Sequence, residues 1–292
     1  MEELTWYIPQ EESPHPRPVV IGLPGFTHRS ERTRIDNLLE KLTRHGIFGV
    51  RVNYPGIIER QENGRVIECP FNLQGYIQSA QEAREYVSRS SEIDATKIGL
   101  LSSSMGSGIV GHWLAQNPDW SPSGMVAISP LSGWRYYGNE QARSLIQRMK
   151  YDIIIPLTEK DKQQGIVKRV IPKEYLEEVI STDAITSLGM SRRTPTIPMM
   201  TIIGTNDNQV SQESMDAYHR ALADPNNEEL KTWTSGHAVP EKRYEAGAIT
   251  FFKKYLTQSL FIKSWTIVFN IDYCQIIFPS YCDIDLTSKK TF

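Results

Sequence analysis

The sequence contains a serine, an aspartate and a histidine whose types and order along the chain could carry out acyl-transfer chemistry. They are Ser104, Asp207 and His237, and each follows a short segment that we predict as a strand. A serine hydroxyl is a weak nucleophile at neutral pH and needs a neighbouring base to accept its proton. Histidine can act as that base, and a carboxylate can hold the histidine in the required orientation. We therefore take these three residues as the candidate catalytic group.

The nucleophile is singled out by the glycine that follows it. Residues 102–106 read SSSMG, and Ser104 is the serine in this run that has a glycine, Gly106, two positions later. A sharp turn from strand to helix presents such a serine, and the usual pattern is Gly-x-Ser-x-Gly because the flanking residues must be small. Ser102 replaces the first glycine and is small enough for the turn. Taken alone, the segment is equally compatible with a serine-rich loop.

The acid and the base follow the serine in the chain order that triads on mostly parallel sheets show. Asp207 lies in GTNDNQV and His237 lies in SGHAVP, each just after a predicted strand. Taken alone, Asp207 is more readily explained as a turn residue or helix cap, and His237 as a surface-loop histidine. The order Ser, Asp, His, with each residue at a strand end, favours a catalytic triad. Asp183 is an alternative acid, but it falls in a segment that we predict as an insertion.

Donors for a developing oxyanion are also predicted from the sequence. One is the backbone N–H of Met105, the residue after the candidate nucleophile, and the other is the N–H of Phe26 in the loop GLPGFTH. His28 in the same loop is a candidate substrate contact. Trp134 and Tyr136 could line an acyl or aromatic pocket, although packing within the insertion explains them equally well.

Short apolar segments alternate with amphipathic ones along the chain. The predicted strands are 18–25, 49–56, 97–103, 124–130 and 197–205, with a weaker one at 230–236. The predicted helices are 35–46, 72–90, 104–117, 211–224 and 240–256. This alternation predicts an α/β fold with a mostly parallel central sheet and helices on both faces. Ligands bind beyond the carboxyl ends of such strands, which is where the three candidate residues fall.

Two regions interrupt the alternation. Residues 131–196 are longer than one crossover requires, and we predict a cap inserted between the strands that end near 130 and begin near 197. Within the cap we predict a hairpin at 151–172 and helices at 139–150 and 172–181. Residues 1–130 and 197–258 then form the core. Residues 259–292, rich in isoleucine and aromatic side chains, form a C-terminal extension to which we assign no role.

Composition excludes several classes of function. A net charge of −2 and the lack of a basic run argue against a nucleic-acid-binding surface. We find no run of about 18 apolar residues that would predict a membrane span. The 3 cysteines are too few and too scattered for a disulfide framework or a zinc site. We expect a cytoplasmic protein without a metal or cofactor, acting on a small-molecule substrate; the oligomeric state stays open.

The motifs LPGF, SSSMG, GTNDNQV and SGHAVP, in this order, resemble the α/β-hydrolase superfamily over about residues 5–257. Residues 25–56 and the hairpin-containing cap are similar to cinnamoyl/feruloyl-esterase-like and serine-aminopeptidase-like hydrolases. The turn at residues 102–106 (the elbow) lacks the first glycine, and in this respect it resembles the acyl-transferase/thioesterase of bacterial luminescence. The resemblance implies hydrolysis of carboxylic esters through an acyl-enzyme on Ser104. Thioester hydrolysis or acyl transfer by the same residues is the alternative, and a catalytically silent binding protein is a third hypothesis.

Overall fold

The computed structural model describes residues 4–25, 34–53, 58–62, 65–66, 73–132, 153–155, 166–171, 183–190, 196–208, 210–237 and 239–257 of the 292-residue chain. The strands in these ranges are β1 (Leu4–Tyr7), β2 (Arg17–Leu23), β3 (Phe48–Val52), β4 (Ile58–Glu62), β5 (Arg65–Val66), β6 (Ile93–Ser103), β7 (Gly124–Ile128), β8 (Ile153–Ile155), β9 (Ile166–Ile171), β10 (Ile197–Gly204) and β11 (Ala223–Trp233). The helices are α1 (Arg34–Thr43), α2 (Leu73–Ser88), α3 (Met105–Gln116), α4 (Ala184–Met190), α5 (Gln212–Leu222) and α6 (Glu241–Phe252), and a π-helical turn (Lys253–Thr257) extends α6.

The central sheet has the strand order β1-β3-β2-β6-β7-β10-β11. All neighbouring pairs are parallel except β1 and β3, which are antiparallel. The carboxyl ends of β6, β7, β10 and β11 therefore lie along one edge of the sheet. The predicted α/β fold with a mostly parallel sheet is confirmed.

Helices cover both faces of this sheet. Successive residues of a strand point to opposite sides, so a strand that is apolar throughout needs packing partners on both faces. In β2, Val19, Ile21 and Leu23 pack in one apolar cluster with side chains of α2, α3 and α5. Val20 packs in the other cluster with α1 and α6. All four of these strand residues are fully buried. A strand that is buried on both faces has a continuous apolar sequence, and this is why these strands could be predicted.

The antiparallel strand β1 is attached to the sheet edge by a polar network as well as by backbone pairing. Arg51 of β3 lies 2.8 Å from the carboxylate of Asp36 in α1, and both side chains are buried. The hydroxyl of Tyr7 in β1 donates to the same carboxylate. Arg51 also donates to Asn53, at 2.9 Å. The buried charges are thus paired and hydrogen-bonded, as burial of ionised groups requires.

Strands outside the main sheet form a second, antiparallel sheet in the order β5-β4-β9-β8. The pairing of β8 with β9 confirms the predicted hairpin within residues 151–172. The strands β4 and β5 were not predicted, because their sequence is polar and lacks an apolar period. The predicted helices 139–150 and 172–181 lie outside the described residues. The division into core, cap and C-terminal extension stays a prediction.

Several element ends follow local signals in the sequence. Gly46 has a φ of 72°, a left-handed conformation, and lies three residues beyond the end of α1. The side chain of Ser211 accepts the N–H of Ser214 at 3.2 Å and so caps α5. Pro240 occupies the capping position of α6 and not the first helical position that we predicted.

The last strand differs most from the sequence prediction. It spans Ala223–Trp233, whereas the prediction placed a strand at 230–236 and extended the preceding helix to residue 224. The strand is at the edge of the sheet, and most of its residues are exposed or half-buried. An exposed edge strand needs no apolar pattern and is usually charged, so periodicity could not reveal it. The strand β1 and the short helix α4 were also not predicted.

No helix within the described residues combines the length and the hydropathy needed to cross a membrane.

Candidate active site

The candidate nucleophile occupies a strained turn between β6 and α3. Ser104 has φ 49° and ψ −122°, and the helix begins at the next residue. Its N–H donates to the carbonyl of Ile128 at 2.9 Å, and its carbonyl accepts the N–H of Leu131 at 3.1 Å. A non-glycine residue with positive φ costs free energy and persists only where its surroundings enforce it. Backbone bonds on both sides of Ser104 supply that enforcement.

The glycine two positions after Ser104 is required by a close approach of backbone. A Cβ on Gly106 would lie 2.2 Å from the carbonyl oxygen of Leu23 and 2.6 Å from that of Pro24. The start of α3 therefore packs directly on the end of β2. A Cβ on Gly25 would come within 3.2 Å of the Cβ of Ser104, so the loop after β2 also borders the elbow. These contacts explain the small residues on both segments.

The serine that stands in place of the first glycine is accommodated by a buried hydrogen bond. Ser102 and Ser107 are fully buried, and their hydroxyl oxygens are 2.8 Å apart. The phenol of Tyr218 in α5 donates to the carbonyl of Ser107 at 2.6 Å. Burial raises the pKa of the Tyr218 phenol well above its ordinary value, so the phenol stays protonated and donates. The elbow thus tolerates Ser102 because its hydroxyl has a partner.

The loops that carry the acid and the base pack closely against each other. A Cβ on Gly204, the last residue of β10, would lie 2.3 Å from the carbonyl oxygen of Gly236. The N–H of Thr205 donates to the carbonyl of Trp233 at 2.8 Å, and the N–H of Asn206 donates to that of Ser235 at 2.9 Å. The parallel pairing of β10 with β11 therefore continues past the ends of both strands. This continuation sets the distance between the two loops.

The three candidate residues meet at the carboxyl edge of the sheet. The Nδ1 atom of His237 lies 2.8 Å from Oδ2 of Asp207, and its Nε2 atom lies 2.9 Å from Oγ of Ser104. The Asp207 side chain is 1% exposed and that of His237 is 14% exposed. The Oδ1 atom of Asp207 accepts the N–H of Val210 at 3.0 Å. A proton on Nδ1 satisfies the carboxylate and leaves Nε2 free to accept the serine proton.

No protein-family model and no curated protein matches this chain. Solved structures do match it. Est1E from Butyrivibrio proteoclasticus, in a structure with ferulic acid bound, is 15% identical with a TM-score of 0.61, covering 88% of this chain and 96% of that one. A monoacylglycerol lipase of Paleococcus ferrophilus is 14% identical with a TM-score of 0.63, covering 87% of this chain and 100% of that one. The α/β hydrolase GrgF of Penicillium sp. sh18 is 14% identical with a TM-score of 0.62, covering 87% and 93%.

The chain has the α/β-hydrolase fold. This fold places a nucleophile, an acid and a base after neighbouring strands, and the structure brings Ser104, Asp207 and His237 together in that way. Met105 is the first residue of α3, so its N–H lies at the helix N-terminus beside Ser104. The other predicted site residues, Phe26, His28, Trp134 and Tyr136, lie outside the described residues.

Asp183, the alternative acid, lies before the helix α4 and not at the end of a strand of the central sheet. Its carboxylate accepts the N–H of Ile185 at 3.0 Å and the hydroxyl of Thr186 at 2.9 Å. It therefore caps a helix, whereas His237 contacts Asp207. Among the described residues, no group of three or more His, Cys, Asp or Glu side chains is placed to hold a metal ion.

A second hydroxyl–histidine–carboxylate chain lies within the fold. The Nδ1 atom of His219 is 2.7 Å from the hydroxyl of Thr201, and its Nε2 atom is 3.1 Å from Glu228. Thr201 is fully buried, so no substrate can reach its hydroxyl. Burial lowers the pKa of His219 despite the neighbouring carboxylate of Glu228, so the ring is held neutral by its surroundings. This group belongs to the packing between α5 and the sheet.

The sequence analysis did not identify Ser129, whose side chain contacts the backbone of His237. The hydroxyl of Ser129, the residue after β7, donates to the backbone carbonyl of His237 at 2.9 Å. Its φ is 45°, in the left-handed region. In the sequence, Ser129 lies at a strand end, between an apolar run and Pro130. This position alone does not indicate a role in the site.

Proposed function

We propose that this protein hydrolyses carboxylic esters through an acyl-enzyme formed on Ser104. The observation that carries the proposal is the continuous contact from Ser104 Oγ to His237 Nε2, at 2.9 Å, and from His237 Nδ1 to Asp207, at 2.8 Å. The second chain of this kind, at Thr201, has a fully buried hydroxyl, whereas Ser104 is partly exposed. The three residues also lie at the carboxyl edge of the sheet, where α/β folds bind ligands, and this position supports the proposal.

In the first half-reaction, Ser104 Oγ attacks the ester carbonyl carbon while His237 Nε2 takes the hydroxyl proton. The carboxylate of Asp207 stabilises the resulting imidazolium. The carbonyl oxygen becomes an oxyanion, which we assign to the backbone N–H groups of Met105 and Phe26. The N-terminus of α3 adds a favourable dipole at the same point. Collapse of the tetrahedral intermediate breaks the bond to the alcohol oxygen, which leaves with the proton from Nε2.

In the second half-reaction, water attacks the acyl carbon and gives a proton to His237 Nε2. The bond between the acyl carbon and Ser104 Oγ then breaks, and the proton on Nε2 returns to the serine oxygen. The products are a carboxylic acid and the regenerated enzyme. No cofactor or metal enters this scheme, since the proton is held by His237 and the charge by backbone donors.

The substrate that we propose is a small-molecule ester. His28, Trp134 and Tyr136 are our proposed substrate contacts, and the aromatic pair favours aromatic or long apolar acyl groups. The bound ferulic acid of Est1E supports including aromatic acids among the candidates. Hydrolysis of a thioester, or acyl transfer to another acceptor, is the second candidate. It is favoured by the missing first glycine, where this chain has Ser102, because the acyl-transferase/thioesterase that the elbow resembles also lacks that glycine.

Replacement of Ser104 by alanine tests the proposal. We expect the purified protein to hydrolyse p-nitrophenyl esters and to be labelled by a fluorophosphonate probe. In Ser104→Ala, kcat should fall by roughly four to six orders of magnitude and labelling should be lost. Ser103→Ala, which alters the adjacent serine, is the matched control and should retain both. Hydrolysis at the original rate by Ser104→Ala would exclude the proposal.

The choice of substrate class needs a panel. Rates of acylation from p-nitrophenyl esters of increasing chain length and from aromatic acyl esters are compared with rates from coenzyme A thioesters of the same acids. Faster acylation from the thioesters would favour the second candidate. Faster turnover of esters, with water as the acceptor, would favour the first.

A further inference from the structure

Ser129, which follows β7, has a backbone conformation that serine rarely adopts. Its φ is 45°, and among the described residues it shares a positive φ with one other non-glycine residue, the candidate nucleophile Ser104. Ser129 also precedes Pro130, and a following proline favours extended backbone. Ser129 is 1% exposed, so contacts within the protein and not with water must hold this conformation. Such conformations persist where several contacts enforce them, and they cluster at functional sites.

The hydrogen bonds at Ile128 and Ser129 join the three segments that carry the candidate triad. The carbonyl of Ile128 accepts the N–H of Ser104 at 2.9 Å. The N–H of Ser129 donates to the carbonyl of Ile202, in the strand that leads to the acid, at 2.8 Å. The hydroxyl of Ser129 donates to the carbonyl of His237 at 2.9 Å. These bonds are possible because β7 lies between β6 and β10.

The bond to His237 matters because that residue is held by no regular element. The strand β11 ends at Trp233 and the helix α6 begins at Glu241. Two neighbouring residues, Trp233 and Ser235, are bonded to the loop of the acid. The hydroxyl of Ser129 bonds to the backbone of the histidine itself. A shift of this carbonyl would move the imidazole relative to Ser104 Oγ.

We propose that Ser129 is a positioning residue, which fixes the backbone of His237 and thereby the distance from its Nε2 atom to Ser104 Oγ. This inference rests on the proposed function of the triad. Ser129 contacts neither the substrate nor the reacting atoms. In its unfavourable positive-φ conformation, the hydroxyl of Ser129 bonds to the carbonyl of His237. We infer that this hydrogen bond is the reason why the strained conformation is kept.

Two substitutions separate the hydrogen bond from the strain. Ser129→Ala removes the hydroxyl and keeps the unfavourable φ, whereas Ser129→Gly removes the hydroxyl and relieves the φ. We expect kcat/KM for a p-nitrophenyl ester to fall roughly tenfold to a hundredfold in both, mostly in kcat, because a small misplacement of a reacting group has effects of this size. Ser129→Gly should melt at a higher temperature than Ser129→Ala. A role in folding alone would instead make activity follow stability.

The matched control lies at the other end of the same strand. The hydroxyl of Ser123 donates to the carbonyl of Thr96 at 2.9 Å, away from the site, so Ser123→Ala loses the same type of bond. It should retain the original kcat and the original rate of labelling by the fluorophosphonate. Unchanged kcat and labelling in both Ser129 variants would overturn the inference.

A spectroscopic readout keeps this test separate from the test of the proposed function. The Nδ1 proton of His237, bonded to Asp207, should give a downfield NMR resonance that requires no activity. We expect the resonance to shift or broaden in both Ser129 variants and to be unchanged in Ser123→Ala. If the original protein neither hydrolyses esters nor reacts with the probe, the proposed function fails. An unaltered resonance in the Ser129 variants would instead contradict the positioning role.

Discussion

The carboxylate of Asp207 differs from a surface carboxylate in what it can do for its neighbour. It is 1% exposed and lies 2.8 Å from His237 Nδ1, so water screens the pair weakly. In the proposed mechanism, the imidazolium therefore gains more from Asp207 than it would from an exposed acid. The His237 side chain, by contrast, is 14% exposed. Burial of the carboxylate and partial exposure of the imidazole suit the roles that we propose for them.

Replacement of Asp207 by asparagine should reduce kcat by roughly 10⁴-fold, because the amide cannot stabilise the imidazolium and can favour the wrong tautomer of His237. The shape of the side chain is kept, so the melting temperature should change little by comparison. Steady-state hydrolysis of a p-nitrophenyl ester measures the effect. Asp183→Asn is the matched control, since asparagine also caps a helix well, and its kcat should be unchanged. A loss below about tenfold in Asp207→Asn would argue against this acid.

Replacement of Gly106 by alanine should displace the elbow, because the new methyl group would lie 2.2 Å from the Leu23 carbonyl. We expect a loss of about 1–3 kcal/mol in the free energy of unfolding, as for other overpacked sites, together with slower labelling of Ser104. Gly189→Ala is the control, because a Cβ at Gly189 in α4 meets nothing within 4 Å. That change should stabilise the protein by up to about 1 kcal/mol. Urea unfolding of both variants measures the contrast, and equal stabilities would contradict it.

At the scale of elements, the elbow depends on the buried pair of Ser102 and Ser107. Removing either hydroxyl leaves the other without its partner, which costs about 1–3 kcal/mol when the group is buried. Removing both leaves no unpaired hydroxyl between these two side chains. We therefore expect Ser102→Ala and Ser107→Ala each to be destabilising, and the double variant to lose less than the sum. A double-mutant cycle by urea unfolding should give a coupling above about 0.5 kcal/mol. Additive effects would mean that the 2.8 Å contact contributes nothing to stability.

Strands buried on both faces were predictable from sequence, whereas exposed strands were predicted only in part or not at all. The strands β2, β6, β7 and β10 have the apolar runs that burial requires, and sequence reasoning found each of them. The edge strands β1 and β11, and the polar strands β4 and β5, carry no such run. Tertiary pairing and not local preference decides their conformation. The same division applies to helices, since the long amphipathic ones were predicted and the seven-residue α4 was not.

The site divides along a similar line. Ser104, Asp207 and His237 were predicted because their residue types, their order and their strand-end positions are all properties of the sequence. The bond from Ser129 to His237 spans 108 positions and depends on the strand order, which composition and spacing do not specify. The buried contact of Ser102 with Ser107 likewise depends on the shape of the elbow. The sequence therefore indicated the candidate triad, but it did not indicate the hydrogen bonds that surround the triad.

For the molecule as a whole, the half-buried His112 and the buried His219 connect packing with pH. His112 in α3 lies 3.0 Å from the hydroxyl of Ser187 in α4, and burial lowers its pKa. Burial also lowers the pKa of His219, against the opposing effects of Glu228 and Asp216. Both rings are therefore less easily protonated in the folded chain than in the unfolded one. Protonation of the unfolded chain then draws the equilibrium toward unfolding as the solution becomes acidic.

The free energy of unfolding should therefore decrease as the pH falls below about 6.5, the ordinary pKa of histidine in the unfolded chain. Below that pH the unfolded state binds more protons than the folded state, whose His219 pKa is lowered, and the stabilisation present above it is lost. Urea unfolding between about pH 5 and 8 measures this dependence, before most carboxylates titrate. His219→Gln should weaken the dependence, whereas His45→Gln, at an exposed histidine beyond α1, should leave it unchanged. An identical dependence in His219→Gln and the original protein would show that the buried ring does not link folding to pH.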